Sequence, residues 1–165
     1  MKVTGKVLIL GCGNVLLGDD GFGPAVAKRC TRFKLGRSIL SIDIGTGLSS
    51  FLLEVTYGDL KPRGIVVVDA ADLGRNPGSI YEVSLEDLEA RSTDTFGLHD
   101  FPSASTFTEL ERTRGVKIRI IACQPARGMA VVKTGLSGEV QRAVPSAARL
   151  AVSTAREMLK RRPTS

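Results

Sequence analysis

Two short runs, KVLIL at 6 to 10 and IVVV at 65 to 68, are almost uninterrupted in apolar residues, and they constrain this chain more than any other feature. A strand with one face in water alternates apolar and polar residues, whereas a strand covered on both faces has no reason to. Helical spacing follows the first of these runs. After KVLIL and a glycine-rich loop come Phe22, Val26, Cys30 and Phe33, at intervals of four, four and three. Pro24 suits the first turn of that helix, where its missing amide hydrogen has no intrahelical partner. SILSIDI at 38 to 44 reads as a second strand, and after G-T-G the segment LSSFLLEVTY at 48 to 57 puts Leu48, Phe51, Leu52 and Val55 on one helical face.

VKIRIIA at 116 to 122 supplies a further strand, and IYEV at 80 to 83 reads as an edge strand. The N-P-G turn before IYEV is too short for a helical crossover, so this strand is expected to run antiparallel. Residues 84 to 115 carry a short helix, a loop and a second helix near Ser103 to Arg114. The last element spans about Glu139 to Arg162, with Pro145 either kinking it or starting its main length. The pattern predicts an α/β three-layer sandwich: a mostly parallel sheet with helices on both faces. One domain over residues 1–165 suffices.

Composition narrows the function classes. No apolar run approaches the roughly 18 residues that span a bilayer, so membrane insertion is not expected. The amino terminus MKVTGKVLIL runs directly into a strand, without the form of a cleavable signal peptide, which makes the cytoplasm the expected compartment. Cys12, Cys30 and Cys123 form no C-x-x-C pair and read as small buried hydrophobes of a reducing compartment. The net charge of +6 is the excess of 23 basic over 17 acidic residues, and the basic ones are scattered beside few aromatics, a poor base-stacking surface, so no nucleic-acid partner is expected. The densest basic run, Lys160-Arg161-Arg162, falls where cations favour a helix carboxyl terminus.

The loop GCGNVLLGDDGFGP, residues 11 to 24, begins like a nucleotide-binding turn. A dinucleotide fingerprint needs three glycines, but its third position here is Leu16, and Asp19 and Asp20 would repel a diphosphate. No G-K-[ST] follows. The acids have two readings: one of them caps the next helix, or the loop awaits a cation. Asp69 follows IVVV directly, at a strand's carboxyl end, where ligands of open parallel sheets bind. His99, the only histidine, lies in GLHDFP. Two carboxylates and an imidazole suit a borderline divalent ion such as nickel or zinc.

These residues resemble a known family. G-C-G-N-V-L-L-G-D-D-G-F-G at 11 to 23, V-V-D-A-A-D at 67 to 72 and G-L-S-G-E-V at 135 to 140 after I-A-C-Q-P are similar to the hydrogenase maturation endopeptidases, which process nickel-iron hydrogenases. The resemblance runs from about residue 5 to 160. G-T-G at 45 to 47 with D-D-G-F-G is similar to the branch associated with coenzyme F420-reducing hydrogenases. The resemblance implies a twisted sheet of about five strands between helices. It also implies removal of a carboxy-terminal extension from the hydrogenase large-subunit precursor after nickel insertion, nickel being carried by that precursor.

Carried residue by residue, the resemblance assigns Asp20, Asp69 and His99 as both the metal-contacting and the catalytic positions. Where many relatives carry glutamate this chain has Asp20, one methylene shorter, which implies contact through water or a closer backbone. Asp19 is read as either a supporting acid or the helix cap, with the cap preferred. Asn14 and the amides of Gly11 and Gly13 either position substrate backbone or simply form the turn. No motif pairs Cys12 or Cys30 with His99, and H-E-x-x-H is absent. A non-cleaving binding module or assembly chaperone for the nickel-loaded precursor is the alternative.

Overall fold

The computed structural model describes residues 3–90, 101–126 and 132–160. Five strands, β1 (Val7–Cys12), β2 (Ile39–Gly45), β3 (Gly64–Ala70), β4 (Ile80–Val83) and β5 (Lys117–Cys123), form one sheet in the order β2-β1-β3-β5-β4. The first four in that order are parallel, and β4 runs antiparallel along β5, as its short preceding turn requires. The helices are α1 (Phe22–Cys30), α2 (Leu48–Tyr57), α3 (Leu85–Glu89), α4 (Ala104–Arg114) and α5 (Gly138–Lys160).

The missing alternation in the strands has its explanation in the two cores. Val7, Ile9, Val66, Val68 and Ile121 pack with Phe22 and Val26 of α1 and with Ala147 and Ala151 of α5. Leu8, Leu10, Ile65, Val67 and Ile120 point the other way, against Leu48 and Leu52 of α2 and Phe107 and Leu110 of α4. Adjacent residues thus lie in opposite apolar layers, and the strand reads as a continuous run. The three-layer α/β sandwich is the observed architecture.

Local signals set the element ends. Ser103 caps α4 by accepting the Thr106 amide, and Gly115 leaves the helix with φ of 64°. Helix α5 runs unbroken from Gly138 through Pro145, so the residues before Pro145 belong to the helix and are not a separate turn. Arg161 and Arg162 of the basic tail lie outside the described residues.

The chain order places a crevice. From β1 the chain passes through α1 to β2 on one side, then returns through α2 past β1 to β3 on the other. Right-handed crossovers in opposite directions put α1 and α2 on opposite faces. The carboxyl ends of β1 and β3 therefore flank a topological switch point, where doubly wound sheets bind their ligands.

Candidate active site

The loop after β1 brings one acid to the switch point and β3 brings the other. Gly13 takes φ of 125°, a conformation only glycine adopts easily, and turns the chain sharply after β1. A methyl group at Gly13 would overlap the carbonyl oxygen of Asp20 and would stand 3.5 Å from Asp69 Oδ1. The backbone carbonyl of Asp20 and the carboxyl group of Asp69 therefore both border Gly13. Both are buried, at 1% and 0% exposure. Asp20 Oδ2 accepts the Asn14 amide at 2.7 Å, and Asp69 Oδ1 accepts the Ala70 amide at 2.8 Å.

Close backbone approach fixes this geometry. A methyl group at Gly23 would collide with backbone atoms of Cys12 in β1 and of Val68 in β3, so α1 begins directly on the two strand ends. Gly11 faces Gly23 and Ala27 in the same contact. The glycines of the loop serve a turn and a helix-on-strand packing, not a phosphate.

Asp19 is not the helix cap. It lies with Asp20 in a single 3₁₀ turn, Gly18–Gly21, and Gly21 occupies the N-cap position of α1 with no side-chain cap bond. The Asp19 carboxylate instead accepts the Ala126 amide at 2.8 Å, the Ser137 amide at 2.6 Å and the Ser137 hydroxyl at 2.9 Å. It staples the acidic loop to the segments that leave β5 and enter α5. The amides weighed for substrate contact are also engaged. Gly13 N–H donates to the Gly45 carbonyl, Asn14 N–H to Asp20, and Gly11 pairs inside β1 with Asp43 and Val68.

Gln124 organises the loop after Asp69. Its Oε1 accepts the amides of Leu73 at 2.7 Å and Arg75 at 3.1 Å, while its Nε2 donates to Asp72 Oδ1 at 3.0 Å. That donation, with the Gly74 amide, holds the Asp72 carboxyl below its ordinary pKa against a smaller opposing effect of burial. Gln124 and Ser137 were not singled out from the sequence, although both sit in segments that carry the family resemblance.

All three cysteines are free and buried. Burial pushes Cys123 to about 12, with the Asp19 charge adding to it, and pushes Cys30 to about 11 against a hydrogen bond from Ser41. Cys12 is raised well above its ordinary value, first by burial and then by the charges of Asp69, Asp43 and Asp20. Thiols held neutral in this way are poor nucleophiles.

His99 lies outside the described residues. Among the described residues, no group of three or more His, Cys, Asp or Glu gathers in a way that could hold a metal ion. The structure thus brings together two of the three expected residues. Two buried carboxyl groups on the loops at neighbouring strand ends can provide oxygen ligands or a proton acceptor. A cavity of about 520 Å³ lies elsewhere, at the amino end of β5, lined by Glu82, Glu111, Lys117, Arg119 and Glu157 among others. It holds none of the buried acids.

Comparison with known proteins decides between a processing enzyme and an unrelated cation site. Residues 24–154 match the family described as hydrogenase maturation protease. The chain belongs to the hydrogenase maturation proteases. A protein of Methanocaldococcus jannaschii named as a hydrogenase maturation protease is 35% identical over 86% of this chain and 90% of its own length. Coenzyme F420 hydrogenase subunit delta of Methanothermobacter thermautotrophicus is 29% identical over 89% and 92%. The hydrogenase maturating endopeptidase HybD from Escherichia coli superposes with a TM-score of 0.75 over 92% of this chain and 93% of that one, at 20% identity, which supports the shared fold. As a hydrogenase maturation protease the chain is a peptide-bond hydrolase. Among its described residues no helix is long and apolar enough to cross a membrane.

Proposed function

We propose that this chain removes the carboxy-terminal extension from the large-subunit precursor of a nickel-iron hydrogenase after nickel has been inserted. The observation that supports the reading is the burial of Asp20 and Asp69 at the switch point between β1 and β3, where the Asp20 backbone and the Asp69 carboxyl group both border Gly13. Nickel enters as cargo of the substrate, held by precursor cysteines, and docks against Asp20, Asp69 and His99. Metal loading then licenses cleavage, because the ion completes the site. Next to the scissile peptide it polarises the carbonyl or acidifies a bound water, and a carboxylate takes the proton from the attacking water. Asp20, with its short side chain, reaches the ion through water or from a closer backbone.

The identity to an F420 hydrogenase subunit makes an F420-reducing hydrogenase the first precursor to test. Purified protein is incubated with nickel-loaded and nickel-free precursor, and the products are weighed by mass spectrometry. Loss of a carboxy-terminal peptide from the loaded precursor alone is expected. Equal cutting of both forms would remove the nickel licence, and a stable complex without mass loss would make the chain a non-cleaving binder.

A further inference from the structure

We propose that Val15 and Leu16, with Val132 beside them, form an apolar rim that receives side chains of the polypeptide substrate flanking the scissile bond; this rests on the functional reading above. Among the described residues large apolar side chains stand exposed at five places, and three of them are here, at 54%, 56% and 83% exposure. A single exposed apolar residue needs no explanation, whereas a group beside a catalytic site does.

The rim is braced. Asn14 Oδ1 accepts the Leu16 amide at 3.0 Å, and the Leu17 amide returns to the Asn14 carbonyl at 3.0 Å. Lys133 N–H donates to the Leu16 carbonyl at 3.1 Å, and Gly18 N–H to the Lys133 carbonyl at 2.6 Å, so Val132 is laid next to Leu16. Val15 packs its backbone on Gly21, whose added methyl would stand 3.2 Å from the Val15 Cα. With this backbone engaged, the two side chains are held outward at a fixed place, and little ordering remains to oppose binding.

That place adjoins the acids. Asn14, whose amide is bound by the Asp20 carboxylate, directly precedes Val15. An extended peptide advances roughly 3.3 Å per residue, so residues flanking a bond cleaved at Asp20 and Asp69 pass over the loop that carries the rim. A peptidase must engage that part of its substrate, and branched aliphatic side chains select apolar residues there over charged ones.

The test uses Val15→Ser, Leu16→Ser and the double variant with nickel-loaded precursor, followed by mass spectrometry. The double variant is expected to raise KM about tenfold with kcat within about twofold, the signature of lost uniform binding. Tyr57→Ser, exposed at the far end of α2, is expected to change neither. An unchanged KM, or a fall in kcat alone, overturns the rim. Affinity for the precursor, measured without turnover, reads the rim even if wild-type protein does not cut: a tenfold loss supports it and no loss overturns it. Wild-type protein that binds without cutting refutes the processing reading alone, and one that does neither refutes both. A change in molecular mass by light scattering, with KM constant, would make the patch a contact between copies and overturn the proposal.

Discussion

At the carboxyl end of the sheet, where Asp19, Asp20, Asp69 and Gln124 are buried, Asp19 and Gln124 join the loops after β1, β3 and β5, whereas at the amino end of β5 a space is lined by Glu82, Lys117, Arg119 and Glu157, all open to water. Charge in water is cheap to keep, and charge withdrawn from water must be compensated by a network or a ligand. The amino end also shows ordinary edge management. Strand β4 pairs only with Ile120 to Cys123, and beyond it the Ile118 amide donates to Glu111 Oε1 at 2.8 Å. Charge stays solvated at the amino end of β5, and acid is desolvated at the carboxyl end of the sheet.

Exchanging carboxylates for amides gives the largest contrast between the ends. Asp20→Asn and Asp69→Asn are each expected to lower precursor processing at least about 100-fold while the melting temperature stays near that of the parent. Glu157→Gln at the amino end is expected to leave the rate within about twofold. Retained processing in either aspartate variant removes that residue from the mechanism, and loss in Glu157→Gln would break the comparison itself. His99→Ala belongs to the same series, and normal cleavage by it would remove the three-ligand arrangement.

Within the acidic loop the comparison sharpens to neighbours. Asp19 holds structure, so Asp19→Ala leaves three donors on Ala126 and Ser137 without their acceptor and is expected to lower unfolding free energy by about 3 kcal/mol in urea titrations. The exposed Glu109–Arg112 pair on α4 provides the control, since Glu109→Ala is expected to change stability by only about 0.5 kcal/mol. Equal effects would mean that Asp19 is no staple.

The thiols give a smaller, pH-dependent effect. Their folded pKa values are raised above the ordinary value near 8.5, so the fold favours the neutral form. The stability this contributes is complete below about pH 8.5 and is lost as pH rises through about 11 for Cys30 and about 12 for Cys123. Melting temperature should fall in that alkaline window, and thiol reagents at pH 8 should label the native protein only as fast as it opens. Rapid labelling would contradict the buried, neutral state.

Asp72 gives the smallest effect. Its folded pKa is lowered, so its contribution is present above the unfolded value near 3.9 and is lost as pH falls through the lower folded value. Gln124→Ala should return the Asp72 carboxyl titration, followed by NMR, toward the ordinary range. An unmoved titration would remove Gln124 as its main cause.

Much of the fold was legible because its signals are local. The helix expected at 48 to 57 spans those residues, since four apolar side chains at helical spacing suffice to define it. The antiparallel β4 followed from a turn too short to cross the sheet. Asp19 was misread for the opposite reason. Ahead of a helix an aspartate reads as a cap, but its partners lie 107 and 118 residues away. The same holds for Gln124, whose partners across the β3 exit are 49 to 52 residues distant.

The sequence by itself determined the layered α/β class, the placement of an acidic loop and Asp69 at strand ends, and the family, because periodicity and motif are properties of neighbouring residues. Only the tertiary structure decided that Asp19 is a brace while Asp20 and Asp69 are buried beside Gly13, and that Val15 and Leu16 stand in water. Those assignments depend on which distant backbone amides converge on each carboxylate and on how closely α1 can sit on β1 and β3. Such distances exist only once the chain has closed.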